Sequence, residues 1–241
     1  MRILITNDDG IASESLQYLA KWARKLGEVT VVAPKVEQSG KSQAIDIINP
    51  FEVEEVDLAE GIKAYSVNST PADCVRFAIL GLKEKPDIVI SGINRGYNLG
   101  RDIAYSGTVG AIFEAQGLGV KAIALSTNYT SNKTALEHLD EIYAFVKDNK
   151  LFDHGNLYNV NVPLGEVKGI KLTRQGGAYY LDEFIKMEDG RYYQKGLFVF
   201  ENKNDYTLDT DAVMAGYISV TPLTLEKTDV AVYEKLKDIL R

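Results

Sequence analysis

Apolar residues in the first half of the chain follow two patterns, which predict strands and helices in turn. The short apolar run at Arg2–Thr6 and the β-branched run at Val29–Ala33 predict buried strands. Between them, Ser13–Leu26 carries apolar residues at helical spacing, and Gly27 follows it as a stop signal. Strands that alternate with helices are typical of a parallel sheet with right-handed crossovers. The pattern therefore predicts an α/β core.

The alternation continues beyond the second strand. Further strands are predicted at Ile62–Val67, Asp87–Ile90, Ala122–Ser126 and Leu157–Val162, and helices at Thr70–Leu82, Gly107–Leu118 and Asn132–Asn149. An extended segment is also expected at Ala44–Val56. Ser91–Ser106 is predicted to be a long glycine-rich loop. Because a connection of this length without regular structure is usually functional, it is a candidate location for a site.

The pattern changes in the second half of the chain. The aromatic-rich segment Tyr179–Phe200 predicts two extended runs joined by an Asp-Gly hairpin turn at residues 189–190. Strands are predicted at Ile170–Thr173 and Ile218–Pro222, a short helical turn within Ala212–Tyr217, and a helix at Val230–Leu240.

We expect a single domain over residues 1–241. Its core covers about residues 1–174, and a hairpin arm with a C-terminal segment covers about residues 175–241. The aromatic arm could pack at a subunit interface or cover a nucleobase by stacking, and interface packing is the interpretation we favour. The second half therefore predicts an extension that packs on another subunit.

Composition and charge narrow the function classes. The 241 residues are 45% apolar and 25% charged, which is ordinary for a soluble globular protein. A net charge of −7 gives no bulk attraction to duplex nucleic acid, although a bound metal can reverse the local sign for a small anion. The chain shows no signal-peptide pattern and no apolar stretch of about 18 residues, so we expect a cytoplasmic protein without membrane contact.

Cysteine and histidine are scarce. Cys74 is the single cysteine, which excludes an internal disulfide and favours a small buried residue. The two histidines, His138 and His154, lie in segments that predict an exposed helix face and a loop. A histidine-rich zinc site or a Ser-His-Asp triad therefore has few candidates.

Two adjacent carboxylates, Asp8 and Asp9, follow the first predicted strand and precede Gly10. In open parallel sheets, ligands bind beyond the carboxyl ends of the strands. Adjacent carboxylates repel each other, and a divalent cation such as Mg²⁺ or Mn²⁺ removes that repulsion by taking hard oxygen ligands. The alternative is a plain turn, since Asn, Asp and Gly all favour turns.

A polar segment, Glu37–Ser42, follows the second predicted strand and should lie beside the first loop. Within it, Ser39 could give a neutral oxygen to a metal or a hydrogen bond to phosphate, and Lys41 could approach an anion. The segment lacks the spacing of a Walker phosphate loop. The alternative is a solvated polar loop.

The glycine-rich segment offers groups for both a metal and a phosphate. Asn94 and Asn98 have amide oxygens, and Arg95 has a cationic fork that suits phosphate. Three glycines permit positive φ and close backbone approach: Gly92, Gly96 and Gly100.

The helix that follows begins with a candidate anion site. Free backbone N–H groups at a helix N-terminus bind anions, and Ser106 and Thr108 flank Gly107 there with hydroxyl donors. The alternative is an ordinary Ser or Thr N-cap. Tyr97 and Tyr105, close by in the chain, either contact a nucleoside or simply pack.

The four loops together predict a hard-metal site next to an anion cradle. That combination suits hydrolysis of a phosphate monoester, in which a metal clamps the phosphoryl oxygens and activates water. Asp9 is favoured over Asp8 as the acceptor of the water's proton, and a metal-bound hydroxide is the alternative.

Three other functions are open on the residues alone. A phosphatase with an aspartyl-phosphate intermediate typically uses D-x-D, which the adjacent Asp8 and Asp9 fit poorly. A non-catalytic nucleotide-binding module has no use for carboxylates that repel phosphate. A metal-dependent deacetylase needs histidine ligands, which are scarce here.

Several motifs, in their order and spacing, resemble the SurE family of stationary-phase survival proteins, which are 5′/3′-nucleotidases. The matching segments are RILITNDDG at 2–10, VVAP at 31–34 with Ser39, TPADCV at 70–75, PDIVISGINRGYNLGRDIAYSGTVGA at 86–111, NVNVP at 159–163, TRQGG at 173–177 and GYISVTPL at 216–223. The order of NDDG, SGIN-x-G-x-N-x-G and YSGTV is specific, and the resemblance spans nearly the whole chain.

The resemblance implies a Rossmann-like three-layer core with a mostly parallel sheet, a β-hairpin arm and a swapped C-terminal segment, in a homodimer or homotetramer. It implies one divalent cation per subunit, Mg²⁺ or Mn²⁺, with four ligands: Asp8, Asp9, Ser39 and Asn94. Further candidate contacts to phosphate or substrate are Arg95, Gly96, Asn98, Ser106, Gly107 and Thr108. The implied activity is hydrolysis of nucleoside 5′- and 3′-monophosphates, with short polyphosphate as a further candidate substrate.

Two positions depart from the family pattern. Many relatives carry an arginine where Gln38 stands, and Ser69 replaces a family glycine just before TPADCV. We expect these differences to affect substrate preference more than the metal site.

Overall fold

A nine-stranded sheet lies at the centre of the protein, which a computed structural model describes over residues 1–240. The strands are Arg2–Thr6 (β1), Glu28–Pro34 (β2), Val53–Glu55 (β3), Lys63–Val67 (β4), Ile88–Arg95 (β5), Lys121–Thr127 (β6), Leu157–Val162 (β7), Ile170–Leu172 (β8), Tyr180–Lys186 (β9), Tyr192–Phe198 (β10) and Ile218–Pro222 (β11). β9 and β10 form a separate hairpin, and the other strands follow the order β3-β4-β2-β1-β5-β6-β7-β11-β8.

The central sheet is mostly parallel, as the alternating pattern predicts. The neighbouring strands β4, β2, β1, β5, β6 and β7 all run in one direction. Antiparallel pairs flank this block, where β3 pairs with β4 and β11 pairs with β7. β8 then pairs in parallel with β11. The parallel block places the carboxyl ends of β1, β2 and β5 side by side, where ligands bind in folds of this class.

Helices cover both faces of the sheet. They are Glu14–Ala23 (α1), Pro71–Arg76 (α2), Gly107–Gly117 (α3), Lys133–Glu137 (α4), Leu139–Asp148 (α5), Asp209–Met214 (α6) and Val230–Leu236 (α7). α2 continues as a π-helical turn over Phe77–Gly81, and short 3-10 helices cover Gly100–Tyr105 and Leu151–Asp153. Within residues 1–240, no helix has the length and apolar character needed to cross a membrane.

Alternate residues of β1 show how the three layers form. Ile3 and Ile5 point to one face of the sheet, where they join a buried cluster with Leu16 of α1. Leu4 points to the opposite face and joins a second cluster with Ile112 of α3. Full burial of such side chains stabilises a fold by about 1.5–3 kcal/mol each. The predicted three-layer α/β class is therefore confirmed.

The prediction of an irregular loop over Ser91–Ser106 is wrong in two places. β5 continues to Arg95, because Asn94 and Arg95 pair with the end of β6 after a register shift. Gly100–Tyr105 then forms a 3-10 helix rather than irregular chain. Within Ser91–Ser106, only residues 96–99 and Ser106 lie outside these two elements.

Other predicted boundaries also differ from the structure. The helix predicted at Asn132–Asn149 is interrupted at His138, where ψ is 8°, so that α4 and α5 are separate. Only residues 53–55 of the extended segment predicted at Ala44–Val56 form a strand. The C-terminal helix ends at Leu236, and α6 begins at Asp209, before its predicted start. The remaining predicted elements are confirmed to within a few residues.

The hairpin predicted in the aromatic segment is confirmed. β9 and β10 pair antiparallel over their whole length, and Gly190 in the turn takes a φ of +83°. Large apolar side chains are exposed on the hairpin and on α7, among them Leu181, Phe184, Phe198 and Val232. The packing of residues 175–241 on another subunit stays a prediction, and residue 241 lies outside the described residues.

An apolar cavity of about 400 Å³ lies near the amino ends of β1, β5 and β6. Its walls include Trp22 of α1, Ile123 of β6 and Tyr143 of α5. None of the candidate metal or phosphate residues lines this cavity. The candidate residues lie instead at the carboxyl ends of the strands.

Candidate functional site

Three hydrogen bonds converge on Asp8 and Asp9 at the carboxyl end of β1. The Gln38 N–H, in the loop after β2, donates to the Asp8 carbonyl oxygen over 2.7 Å. The Arg95 N–H, at the end of β5, donates to Asp9 Oδ2 over 3.3 Å. The Thr108 hydroxyl, in the first turn of α3, donates to Asp8 Oδ1 over 2.5 Å. The four predicted loops therefore meet at this carboxylate pair.

The segment that carries the two carboxylates is itself a turn. Asn7 Oδ1 accepts the Gly10 N–H over 3.2 Å, and Asn7 Nδ2 donates to the Gly10 carbonyl over 3.0 Å. Gly10 has a φ of +95°, which a residue with a side chain rarely adopts. The turn interpretation of the sequence is therefore correct for the backbone, and that turn presents the carboxylates.

The two carboxylates lie in an environment that disfavours their charge. Asp8 is only 5% exposed, and burial raises its pKa to about 6, with a further increase from the neighbouring Asp9 charge. The hydrogen bond from Thr108 acts in the opposite direction. Burial also raises the pKa of Asp9, and the charge of Glu37 adds to this, whereas the Arg95 N–H lowers it. A positive charge placed between these carboxylates would stabilise both.

Ser39 and Asn94, the predicted neutral ligands, lie on the two segments that flank the pair. Asn94 Nδ2 donates to the Gly96 carbonyl over 2.9 Å, which leaves the amide oxygen free to accept. Ser39 is exposed, and its hydroxyl donates to Glu37 Oε1 over 2.6 Å. Ser39 directly follows Gln38, whose N–H donates a hydrogen bond to the Asp8 carbonyl oxygen.

The chemistry of the donor set is that of hard oxygen atoms. Within residues 1–240, no group of three or more His, Cys, Asp or Glu side chains is placed to hold a metal ion. A cation at the carboxyl end of β1 would therefore use two carboxylates and neutral oxygens, as the sequence predicts. Oxygen-only sets of this kind suit Mg²⁺ or Mn²⁺ rather than zinc.

The N-terminus of α3 faces the Asp8 side chain. Ser106 is the N-cap, and its Oγ accepts the Val109 N–H over 3.1 Å. A Cβ added at Gly107 would lie 3.0 Å from Asp8 Cβ and 3.2 Å from Asp8 Oδ2. Ser106 is therefore the N-cap that one interpretation predicts, and anion binding at this helix end stays a prediction.

Asn98 is buried in a network that holds the glycine-rich segment against the sheet. Its Nδ2 donates to Ser126 Oγ over 2.8 Å, and its N–H donates to Asn161 Oδ1 over 2.8 Å. Its carbonyl oxygen accepts from Asn159 Nδ2 over 2.8 Å and from Asn161 Nδ2 over 2.9 Å. These bonds give Asn98 a structural role, and its contact with phosphate stays a prediction.

Asn159 and Asn161 were not among the predicted site residues, although they hold the glycine-rich segment. The signal was present, because the two asparagines alternate with valines in β7 and must point to the same face. Buried amides of this kind need partners, and the backbone of the glycine-rich segment provides them.

Asp209, at the start of α6, holds the other end of the glycine-rich segment and was also missed. Its Oδ2 accepts the Gly100 N–H over 2.9 Å. Its Oδ1 accepts from the N–H groups of Gly176 and Thr210 over 2.8 and 2.7 Å. Burial raises the pKa of Asp209, and these three bonds lower it. The residue thereby connects the C-terminal part of the chain to the candidate site.

A cavity of about 480 Å³ opens beside Asp9, between α1 and the segment after β6. The side chain of Arg95 reaches into its wall, with the guanidinium carbon 5.1 Å from the centroid of the Tyr129 ring. Local sequence patterns do not indicate this contact, because it forms only where the end of β5 lies beside the segment after β6. The cavity is the recess next to the carboxylates.

Known proteins resemble this chain in sequence and in fold. A family model described as "Survival protein SurE" matches residues 3–182. Proteins named 5′-nucleotidase SurE from Thermosipho melanesiensis and Natranaerobius thermophilus are each 42% identical to this chain over 99% of its length and over 97% and 98% of theirs. The crystal structure of the SurE protein from Aquifex aeolicus, 32% identical, matches over 100% of both chains with a TM-score of 0.79. The chain therefore belongs to the SurE family of survival proteins.

Proposed function

We propose that the protein hydrolyses nucleoside monophosphates to nucleoside and phosphate, with one divalent cation per subunit. The observation that carries the proposal is the Asp8–Asp9 pair, held between the loop after β2, the end of β5 and the N-terminus of α3. The relatives named 5′-nucleotidase support 5′-monophosphates as substrates.

The residues at the carboxylate pair fit a hard divalent cation. Burial raises the pKa of both Asp8 and Asp9, and a cation offsets this by compensating their charges. Asn94 Oδ1 and Ser39 Oγ are the neutral oxygens proposed to complete the set. When bound, Mg²⁺ or Mn²⁺ supplies positive charge that polarises the phosphoryl oxygens.

The N-terminus of α3 is proposed to bind the phosphate. Gly107 is the first residue of the helix, so its N–H has no partner within the helix and can donate to an anion. The Ser106 oxygen accepts from Val109, which leaves the Ser106 hydroxyl proton free to donate. Arg95, an exposed cation at the end of β5, is the further group that can compensate phosphate charge.

Asp9 is proposed to accept the proton of the attacking water. One of its oxygens accepts the Arg95 N–H, and the residue lines the open cavity, whereas Asp8 is buried and bonded to Thr108. The water oxygen forms a bond to phosphorus as its proton moves to the carboxylate. The bond between phosphorus and the nucleoside oxygen breaks, and that oxygen takes a proton from solvent.

Phosphate release from AMP and GMP tests the proposal. We expect release to stop after treatment with EDTA and to return on addition of Mg²⁺ or Mn²⁺. Phosphate release that is insensitive to EDTA would contradict the proposed requirement for a divalent cation. A trapped phosphoenzyme would contradict direct attack by water. Tight binding of AMP without release under any metal condition would show a nucleotide-binding module instead.

The proposal extends to 3′-monophosphates and short polyphosphate as further substrates, which the same assay can compare. It also extends to a homodimer or homotetramer. Exposed apolar side chains on the hairpin and on α7, such as Phe184 and Tyr233, support assembly through these elements. Light scattering of the protein with and without residues 224–241 would measure the contribution of α7.

A further inference from the structure

The cavity beside Asp9 has the size of a small-molecule site. Its volume of about 480 Å³ lies within the range of about 300–1,000 Å³ that is common for ligand pockets. It lies between the N-terminus of α1 and the segment that follows β6. The residues that line it include Asp9, Ser13, Glu14, Glu37, Arg95 and Tyr129.

The charges of this cavity disfavour a phosphate group within it. Asp9, Glu14 and Glu37 contribute carboxylates, and Arg95 is the cation among the lining residues. Negative charge therefore dominates, and a phosphate dianion would be repelled except where a cation compensates Asp8 and Asp9. The rest of the cavity suits an uncharged group that can donate hydrogen bonds to carboxylates.

One wall of the cavity offers a flat aromatic surface. The Arg95 guanidinium lies over the Tyr129 ring, with its central carbon 5.1 Å from the ring centroid. The Tyr129 side chain is nevertheless 68% exposed, so most of its surface is open to a ligand. Nucleic-acid bases stack on exposed tyrosine rings and on arginine planes held in this way.

The residues that line the cavity from the N-terminus of α1 provide hydrogen-bonding groups. Ser13 precedes α1, and its hydroxyl does not cap that helix, so it can bond a ligand. Glu14 is exposed in the first turn of α1 and offers carboxylate oxygens as acceptors. Ribose hydroxyls and the amino groups of bases are donors that match these acceptors.

We infer that this cavity binds the nucleoside part of the substrate, with the base stacked on the Arg95–Tyr129 pair. The inference rests on the proposed function, which puts the phosphate at the Asp8–Asp9 pair and the N-terminus of α3. Asp9 belongs to both regions, so a nucleotide can extend from the carboxylates into the cavity.

The test compares AMP with ribose 5-phosphate, which has the same phosphate ester and lacks the base. Tyr129→Ala should reduce the ratio of kcat/KM for AMP to that for ribose 5-phosphate roughly 10-fold, because stacking on one aromatic ring is lost. Tyr129→Trp should keep the ratio. Tyr18→Ala, which removes an exposed tyrosine of α1 that does not line the cavity, is the matched control and should also keep it.

Binding of adenosine separates this inference from the proposed function. Equilibrium dialysis should show adenosine bound to the unmodified protein and roughly 10-fold weaker binding to Tyr129→Ala. If no phosphate ester is hydrolysed but this difference in binding is found, the proposed function fails and the nucleoside site stands. An unchanged AMP to ribose 5-phosphate ratio in Tyr129→Ala, or equal adenosine binding by the two proteins, overturns the inference.

Discussion

The Thr108 hydroxyl donates a hydrogen bond to Asp8 Oδ1 over 2.5 Å, although the two residues are 100 positions apart in the chain. The bond joins the first turn of α3 to the end of β1. It opposes the rise in the Asp8 pKa that burial causes, and it therefore favours the ionised carboxylate that a metal ligand must be.

Removal of this bond should weaken metal binding. In Thr108→Val the side chain keeps its shape and loses its donor, so the charged form of Asp8 becomes less favourable. Loss of such a supporting group typically costs about 10–100-fold in metal affinity. We expect a change of that size in the Mg²⁺ or Mn²⁺ concentration for half-maximal phosphate release. Thr108→Ser keeps the hydroxyl and should retain normal affinity, and a normal value for the valine variant would contradict this role.

Replacement of either carboxylate should remove activity without unfolding the protein. Asp9→Asn cannot accept the proton of water, and loss of a general base typically costs about 10²–10⁴-fold in rate. Asp8→Asn should also be inactive because one cation ligand loses its charge. Asp148→Asn, at an exposed position of α5, is the control. Circular dichroism should show folded protein throughout, and near-normal rates for both site variants would disprove the proposed centre.

Asp8 should also lower the stability of the metal-free protein at neutral pH. Its folded-state pKa of about 6 lies above the ordinary value of 3.8, so the folded form holds a proton that the unfolded chain releases. The contribution of Asp8 to the free energy of unfolding therefore falls as pH rises from about 4 to 6 and stays lower above that. The shift corresponds to roughly 3 kcal/mol.

Urea unfolding in EDTA measures this effect. Asp8→Asn should be more stable than the unmodified protein at pH 8, and the difference should shrink as pH falls towards 4. Addition of Mg²⁺ or Mn²⁺ should stabilise the unmodified protein more than the variant. If the difference in stability between the two proteins does not change with pH, ionisation of the buried Asp8 does not lower the free energy of unfolding.

Asp209→Asn should destabilise the whole molecule. The new amide nitrogen would replace one carboxylate oxygen, so a donor would face either the Gly100 N–H or the N–H groups of Gly176 and Thr210. An unsatisfied buried donor costs about 1–3 kcal/mol. Thermal unfolding should show the loss, with Asp148→Asn as the unaffected control. Unchanged stability would mean that neighbouring groups replace these bonds.

The sequence predicts the part of the fold that depends on local patterns. Apolar runs locate β1 and β7 to the residue, and the segment after β1 is correctly expected to present carboxylates. The end of β5 could not be predicted, because Asn94 and Arg95 join the strand only through pairing with β6. The helix break at His138 could not be predicted either, because no glycine or proline lies there.

The candidate site follows the same division. Asp8, Asp9 and Asn94 stand out in the sequence because several polar residues follow strands, where ligands bind. The residues that orient these side chains cannot be recognised in the sequence. Thr108, for example, reaches Asp8 only after the sheet and α3 have packed. The Arg95–Tyr129 contact also depends on tertiary structure, because Arg95 ends β5 and Tyr129 follows β6.

β11 lies between β7 and β8 in the sheet, and β8 has β11 as its neighbouring strand. During synthesis, β7 and β8 emerge well before residues 218–222. Until β11 has been made, the edges of β7 and β8 that pair with it stay unpaired. Unpaired strand edges in a nascent chain are sites of aggregation and chaperone binding. Translation that stops before residue 218 would leave this part of the sheet open, so the cell's quality-control machinery should recognise such fragments as unfinished.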